Sequence, residues 1–214
     1  TKDQIHKLKL PLMSPTNKSR MQTAFTISIE SKKGITTGIS AYDRAKTIKV
    51  AIGKNSNKND IVSPGHVFPL VSRMGGVLER AGHTEASVDI SKLSRLNPSA
   101  VICEVMNEDG RMARLEDLHK FSLKHKIKIA SIEDLIAYRL RNEKLIYKSF
   151  TKQVKANRKD NIEFLVYKNK LNKKDSYVLK KGKINPKKLT RIRVISTEIK
   201  KLSKILKNLK IKES

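Results

Sequence analysis

The chain is short of cysteine, tryptophan and long apolar runs. Its 214 residues include one cysteine, Cys103, and no tryptophan. A single thiol excludes an intrachain disulfide and a zinc site built from several cysteines, and it suits a reducing cytoplasm. No apolar run approaches the roughly 20 residues of a membrane helix, and the N-terminus lacks the apolar segment of a signal peptide. We therefore expect a cytoplasmic protein without a membrane partner.

Acidic residues are scarce relative to basic ones. The chain has 47 Lys and Arg against 20 Asp and Glu, a net charge of +27, and residues 151–214 hold 21 of the former against 5 of the latter. Such a basic tail is typical of nucleic-acid binding. The excess is mostly lysine, which recognises bases less well than arginine, and five Phe and five Tyr offer few stacking surfaces. The composition therefore disfavours a nucleic-acid partner. Two explanations of the basic tail stay open, namely nucleic-acid binding by the tail and a biased genome composition.

Apolar periodicity predicts helices and strands in alternation, and therefore a mixed α and β protein. The predicted helices begin at a serine or carry acidic residues in the first turn, as N-terminal capping requires; they cover residues 40–52, 115–125 and 131–142. The predicted strands cover residues 23–30, 100–107 and 128–132. In the first strand, Phe25, Ile27 and Ile29 should share one face.

The character of the chain changes after about residue 147. Residues 148–161 are polar and predict a linker, and two short strand candidates follow at 163–167 and 176–179. Residues 196–211 predict a basic amphipathic helix, because apolar side chains recur on one stripe between lysines. We expect one domain over residues 1–147 and a small basic segment over 148–214.

Three segments carry side chains suited to chemistry. In residues 34–47, GITTGISAYDRAKT, backbone amides and hydroxyls can cradle an anion, or they can form a tight turn before a capped helix. Around Gly82, Arg80 and Thr84 offer a cationic fork and a hydroxyl to a phosphate. His66 and His83 are candidates for acid-base work or metal binding, the alternative being structural histidines.

Glu104 is the third unusual feature. It lies within the apolar run VICEVM, where a buried carboxylate is costly unless a partner or a polar site receives it. A carboxylate in such a place is a candidate general base. The alternative is a glutamate that points outward from a strand.

Together these segments resemble the 3,4-dihydroxy-2-butanone 4-phosphate synthases. The resemblance runs from about residue 10 to residue 141 and is most specific in RAGHTEAS and ICEVMNEDGRMAR. It implies an α+β fold with a mixed central sheet and flanking helices, and a homodimer. It also implies a lyase of riboflavin biosynthesis that converts ribulose 5-phosphate to 3,4-dihydroxy-2-butanone 4-phosphate and formate, with Mg²⁺ or Mn²⁺.

The resemblance also implies roles for individual residues. His83 would be a metal ligand, and His66 and Glu104 would be the catalytic pair. The substrate-binding residues would be Arg80, Ala81, Gly82, His83, Thr84 and Glu104. Relatives carry an acidic loop upstream that supplies further ligands, and this sequence has no counterpart for it. We therefore expect either a fragment of a longer chain or an inactive homologue.

The last part of the chain has a fainter resemblance. Residues 164–182 are similar to the start of a GTP cyclohydrolase II domain, but no cysteine follows Cys103 to form that enzyme's zinc site. The resemblance implies a degenerate remnant without cyclohydrolase activity. An unrelated basic extension is the alternative.

Overall fold

A computed structural model describes residues 1–157, 160–172 and 174–194, with the backbone alone at 154–157 and 160–161. The chain divides into two compact units, Thr1–Asn142 and Glu143–Ser214. Both helices and sheets are present, so the predicted α+β class is confirmed. The expected mixed central sheet is wrong for the described residues, because their strands form two separate antiparallel sheets. Among the described residues, no helix has the length and apolar character that crossing a membrane demands.

The first unit contains five helices and one antiparallel strand pair. In chain order these elements are α1 (Lys2–Leu8), β1 (Ile29–Ser31), α2 (Ala41–Ala51), β2 (Ile61–Val67), α3 (His83–Leu93), α4 (Leu115–His125) and α5 (Ile132–Asn142). Short 3₁₀ turns precede β2 and α3, at Lys58–Asp60 and Gly76–Leu78. The three predicted helices are confirmed as α2, α4 and α5.

The core of this unit forms where α1 and α2 cover the β1–β2 pair. Leu8, Ile29, Ala51 and Ile61 are buried against one another, and such burial supplies most of the stabilisation of a small domain. β1 and β2 pair with Ile29 opposite Val67 and with Glu30 opposite Val62, across a bulge between Ile29 and Glu30. This antiparallel pair places the end of β2 beside the start of β1.

α2 begins where the sequence predicted. The Ser40 hydroxyl accepts a hydrogen bond from the Asp43 backbone N–H at 3.1 Å, which satisfies one free amide of the first helical turn. α5 begins in the same way, because the Ser131 hydroxyl accepts from the Asp134 N–H at 3.0 Å. Both starts follow from the capping pattern in the sequence.

Three predicted strands are wrong in whole or in part. Within 23–30, β1 forms only at Ile29–Ser31, and isolated bridges place Thr26 opposite Leu12 and Phe25 opposite Leu70. Residues 100–107 and 128–132 form no strand; the first segment contributes one bridge, from Met106 to Met112. The apolar pattern correctly marked segments of strand-like composition, but a strand also needs a neighbour to accept its hydrogen bonds. Within the described residues, the first segment has only the short bridged stretch at 111–113 beside its end, and the second segment lies in no bridge or strand.

The second unit is a three-stranded antiparallel sheet in sequence order. Its strands are β3 (Ile146–Asn157), β4 (Asp160–Asn169) and β5 (Asp175–Lys181). The predicted strands at 163–167 and 176–179 are confirmed within β4 and β5. The predicted linker at 148–161 is wrong, because β3 pairs with β4 along most of its length. The predicted helix at 196–211 lies outside the described residues.

Candidate functional site

His66 pairs with a glutamate from the neighbouring strand. Its Nδ1 contacts Oε1 of Glu30, and the Glu30 side chain is mostly buried while His66 is 41% exposed. Gly65 makes this approach possible, because a Cβ there would lie 2.3 Å from the Ile29 carbonyl group. The imidazole is therefore held on one edge and open to solvent on the other.

Asp43 organises the loop between β1 and α2. Its carboxylate accepts from the Thr36 hydroxyl at 2.8 Å, the Thr36 N–H at 3.2 Å and the Gly38 N–H at 3.0 Å. The Thr36 hydroxyl, followed by backbone and Ser40 donors, holds the pKa of Asp43 below its ordinary value, against the opposing effect of burial. Two of the amides that the sequence offered to an external anion are thus used inside the protein, which favours the capped-turn interpretation.

Arg80 is held by protein groups on two sides. One Nη1 hydrogen bond reaches Glu85 Oε2 at 2.5 Å, and Nη2 donates to the Met21 carbonyl at 2.8 Å and to the Thr23 hydroxyl at 3.1 Å. Nε also donates to Met21, at 3.2 Å. Of the five guanidinium N–H groups, one on Nη1 is left for a ligand, and the side chain is 20% exposed.

The segment from Ala81 to Thr84 leads into α3. Gly82 precedes the helix in an extended conformation and has no side chain to cap it, so the first amides of α3 are open to an acceptor. His83, the first helical residue, is exposed, and Thr84 is buried. Glu85, 1% exposed, accepts from the Arg73 N–H at 3.0 Å as well as from Arg80. Glu85 therefore fixes the start of α3 through its hydrogen bonds, and the first amides of the helix stay open to an acceptor.

Glu104 does not occupy the environment that its neighbours predicted. It is exposed, and so are Val101, at 69%, Ile102 and Met106. The prediction that Glu104 is a buried, costly carboxylate is therefore wrong. The segment is exposed because no neighbouring strand among the described residues covers it.

The structure brings some of the predicted site residues together and leaves others apart. Arg80, Ala81, Gly82, His83 and Thr84 form one turn and helix start. Across the described part of the chain, no hydrogen bond or ion pair joins this turn to the His66–Glu30 pair or to Glu104. The two described cavities, of about 590 and 120 Å³, are lined by none of these residues.

Comparison with known proteins identifies the family. The model of the family described as 3,4-dihydroxy-2-butanone 4-phosphate synthase matches residues 1–138. The chain belongs to this family. A synthase of this name from Photobacterium phosphoreum is 44% identical over 194 residues, which are 90% of this chain and 53% of that protein. The chain thus spans about half the length of this curated relative.

Solved structures of synthases share the fold. A two-domain 3,4-dihydroxy-2-butanone 4-phosphate synthase, RibBX from A. baumannii, superposes with a TM-score of 0.73 at 41% identity, covering 84% of this chain and 53% of its own. A synthase in complex with two magnesium ions superposes with a TM-score of 0.60 at 31% identity, covering 65% of this chain and 70% of its own.

The described residues of this synthase-family chain do not by themselves form a metal site. Among them, no group of three or more His, Cys, Asp and Glu side chains is placed to hold an ion. His83 is exposed and offers one imidazole nitrogen, whereas a bound divalent ion takes several protein or water ligands. A metal step therefore has no support in these residues alone.

Two carboxylates that support the candidate site were not predicted from the sequence. Glu30 and Glu85 contact His66 and Arg80, and neither was singled out. Glu85 carried a signal, because it lies in the first turn of a helix five residues after an arginine. Glu30 carried none, since its contact with His66 spans 36 residues and depends on the β1–β2 register.

Proposed function

We propose that this chain is part of a lyase that converts ribulose 5-phosphate to 3,4-dihydroxy-2-butanone 4-phosphate and formate, in riboflavin biosynthesis. The observation that carries the proposal is the family match over residues 1–138, which includes His66, the 80–84 turn and Glu104. The reaction that the family resemblance implies begins with removal of a proton to give an enediol. Loss of water, rearrangement of the carbon skeleton and release of one carbon as formate follow.

His66 is proposed as a proton-transfer residue. Its Nδ1 edge is engaged by Glu30 and its other edge is exposed, so Nε2 is accessible to a substrate. Positioned imidazoles are the commonest general acids and bases in enzymes. Glu104 is proposed as the second such group and as a substrate contact, and its exposure leaves it open to a bound molecule.

The start of α3 is proposed to hold the phosphate. Open amides at a helix N-terminus favour an anion through hydrogen bonds and through the helix dipole. Gly82 permits close approach, and Ala81, His83 and Thr84 complete the segment. Arg80 adds one free N–H, but its principal task in this structure is to fix the turn, because Glu85 neutralises its charge.

The metal requirement is a finer part of the proposal. Mg²⁺ or Mn²⁺ would stabilise negative charge on substrate oxygens, and a related structure holds two magnesium ions. His83 can supply one ligand. The remaining ligands would have to come from groups other than the described residues.

We also propose that the enzyme is a homodimer and is cytoplasmic. Exposed apolar side chains near the 101–106 segment and on α4 support a homodimer, and one exposed thiol, Cys103, suits the cytoplasm. Residues 148–214 are proposed as a degenerate cyclohydrolase-like remnant. The match to the two-domain A. baumannii synthase covers 84% of this chain and therefore includes part of this segment.

The test of the proposed function is formate release from ribulose 5-phosphate with Mg²⁺ or Mn²⁺ by the full-length gene product. His66→Gln should lower kcat by about 100-fold or more, as loss of a general acid or base does. His119→Gln is the matched control, since His119 is exposed on α4. Equal rates for wild type and His66→Gln would reject the role of His66. Absence of formate with the wild type would favour an inactive homologue.

A further inference from the structure

We infer that Glu30 is the positioning residue of His66: the mostly buried carboxylate fixes the proton on Nδ1 and leaves Nε2 as the basic atom facing the substrate. The inference rests on the proposed function of His66 and adds a residue to it. Three observations carry it, namely the Glu30–His66 contact, the place of Gly38 and the hydrogen bonds of Asp43.

The contact determines which tautomer is present. A carboxylate only accepts hydrogen bonds, so the Nδ1 atom that touches Glu30 Oε1 must be the donor. A neutral imidazole with its proton on Nδ1 carries its lone pair on Nε2. Glu30 thereby selects one of two tautomers and fixes the ring orientation.

Gly38 holds the carboxylate from behind. A Cβ at this position would lie 1.5 Å from Glu30 Oε1 and 2.1 Å from its Cδ, so only a glycine leaves room for the carboxylate. Gly38 also has φ +86°, a conformation that glycine adopts at little cost. The backbone of the loop is therefore in direct contact with the group that orients His66.

Asp43 in turn holds Gly38. The Gly38 N–H donates to Asp43 Oδ2 at 3.0 Å, and the same carboxylate binds the Thr36 hydroxyl and N–H. Asp43 is 1% exposed and sits in the first turn of α2. A continuous line of contacts thus runs from α2 through the loop and Glu30 to His66. We expect the rigidity of this line, rather than Glu30 alone, to keep Nε2 in place.

The first test reads the tautomer directly. In the ¹⁵N-histidine-labelled full chain, two-bond ¹H–¹⁵N correlation at a pH where His66 is neutral should show a single tautomer with the proton on Nδ1. Glu30→Gln, which can present either an oxygen or an amide group, should give mixed tautomers. Glu133→Gln removes the same charge from an exposed site on α5 and should leave the His66 signal unchanged.

The second test uses the loop. Gly38→Ala should displace the Glu30 carboxylate and disturb the His66 tautomer although both partners remain present. Gly110→Ala is the matched control, because Gly110 has a similar φ of +82° but nothing within 4 Å of its Cβ position. A tautomer change in both alanine variants would point to general backbone strain and would overturn the role of Gly38.

Kinetics separate this inference from the proposed function. In an active enzyme, Glu30→Gln should lower kcat about 10-fold to 100-fold with KM nearly unchanged, as loss of a supporting carboxylate behind a histidine does. A single Nδ1–H tautomer and full kcat in Glu30→Gln would overturn the inference. If the wild type releases no formate but the tautomer still depends on Glu30, the positioning role stands and the proposed function fails.

Discussion

Asp43 is the residue on which the local structure of the site depends most. It ranks with Glu85 and Asp89 among the buried carboxylates of the first unit, and each of the three accepts at least two hydrogen bonds from protein groups. Burying a carboxylate is costly unless such donors replace water. Each of these buried carboxylates therefore depends on the particular donors that surround it.

The pH dependence of stability should report on Asp43. Its pKa in the folded protein is held below the ordinary 3.8, chiefly by the Thr36 hydroxyl, so its stabilising effect is present above pH 3.8 and is lost as the pH falls through the lowered value. Asp43→Asn should lower the free energy of unfolding at neutral pH, because the NH2 group that replaces one carboxylate oxygen cannot accept from the loop donors.

Denaturant unfolding from neutral pH to below 3.8 measures this effect. The difference between wild type and Asp43→Asn should shrink as the pH falls below 3.8. A difference that stays constant across this range would show that the ionised carboxylate is not the stabilising form.

Single residues were predictable from sequence where the signal was local. Ser40 and Asp43 lie three residues apart and announce a capped helix, and the structure has one. The Glu30–His66 pair joins residues 36 positions apart, and no local pattern encodes the strand register that brings them together. The prediction for Glu104 was wrong for a related reason. Apolar neighbours predict a preference for burial, but they do not supply the surface that would bury them.

Among the elements of the first unit, α3 carries two buried carboxylates, Glu85 and Asp89. Glu85 and Asp89 lie one helical turn apart, so both face the same side of the helix. Asp89 Oδ2 accepts from Arg139 of α5 at 2.7 Å and from the Val77 N–H at 2.8 Å, and Arg139 also donates to the Gly75 carbonyl at 2.8 Å. This one pair joins α3, α5 and the turn before α3.

Removal of Arg139 should destabilise the first unit strongly. Arg139→Ala leaves the buried Asp89 carboxylate without its cation, and breaking a buried pair in this way costs about 3–5 kcal/mol. Arg141→Ala is the control on the same helix, because Arg141 is exposed; surface substitutions usually change stability by less than about 0.5 kcal/mol. Chemical denaturation of the two variants compares them, and similar midpoints would show that the pair is not structurally important.

Helices were predicted better than strands. The starts of α2 and α5 depend on side chains within one turn, whereas strands depend on partners elsewhere in the chain. β4 and β5 were found because they pair with neighbours in sequence, and β3 was missed because its polar residues suggested a linker. Residues 100–107 and 128–132 show the reverse error, with strand composition but no strand partner among the described residues.

At the scale of the whole molecule, the family match ends at residue 138, close to the division between the two units at Asn142. The candidate site residues therefore all lie in the first unit, from Glu30 to Glu104. The second unit contributes much of the positive charge of the chain but none of the residues proposed for the reaction. The proposed lyase activity should accordingly depend on side chains of the first unit.

Product analysis is the decisive test of the proposed lyase reaction. We would follow the full-length gene product with ribulose 5-phosphate and Mg²⁺ by ¹³C NMR, using substrate labelled at every carbon. The account predicts that labelled formate and 3,4-dihydroxy-2-butanone 4-phosphate form in equal amounts as the substrate disappears. Substrate that stays intact, or that is consumed without labelled formate, would contradict it.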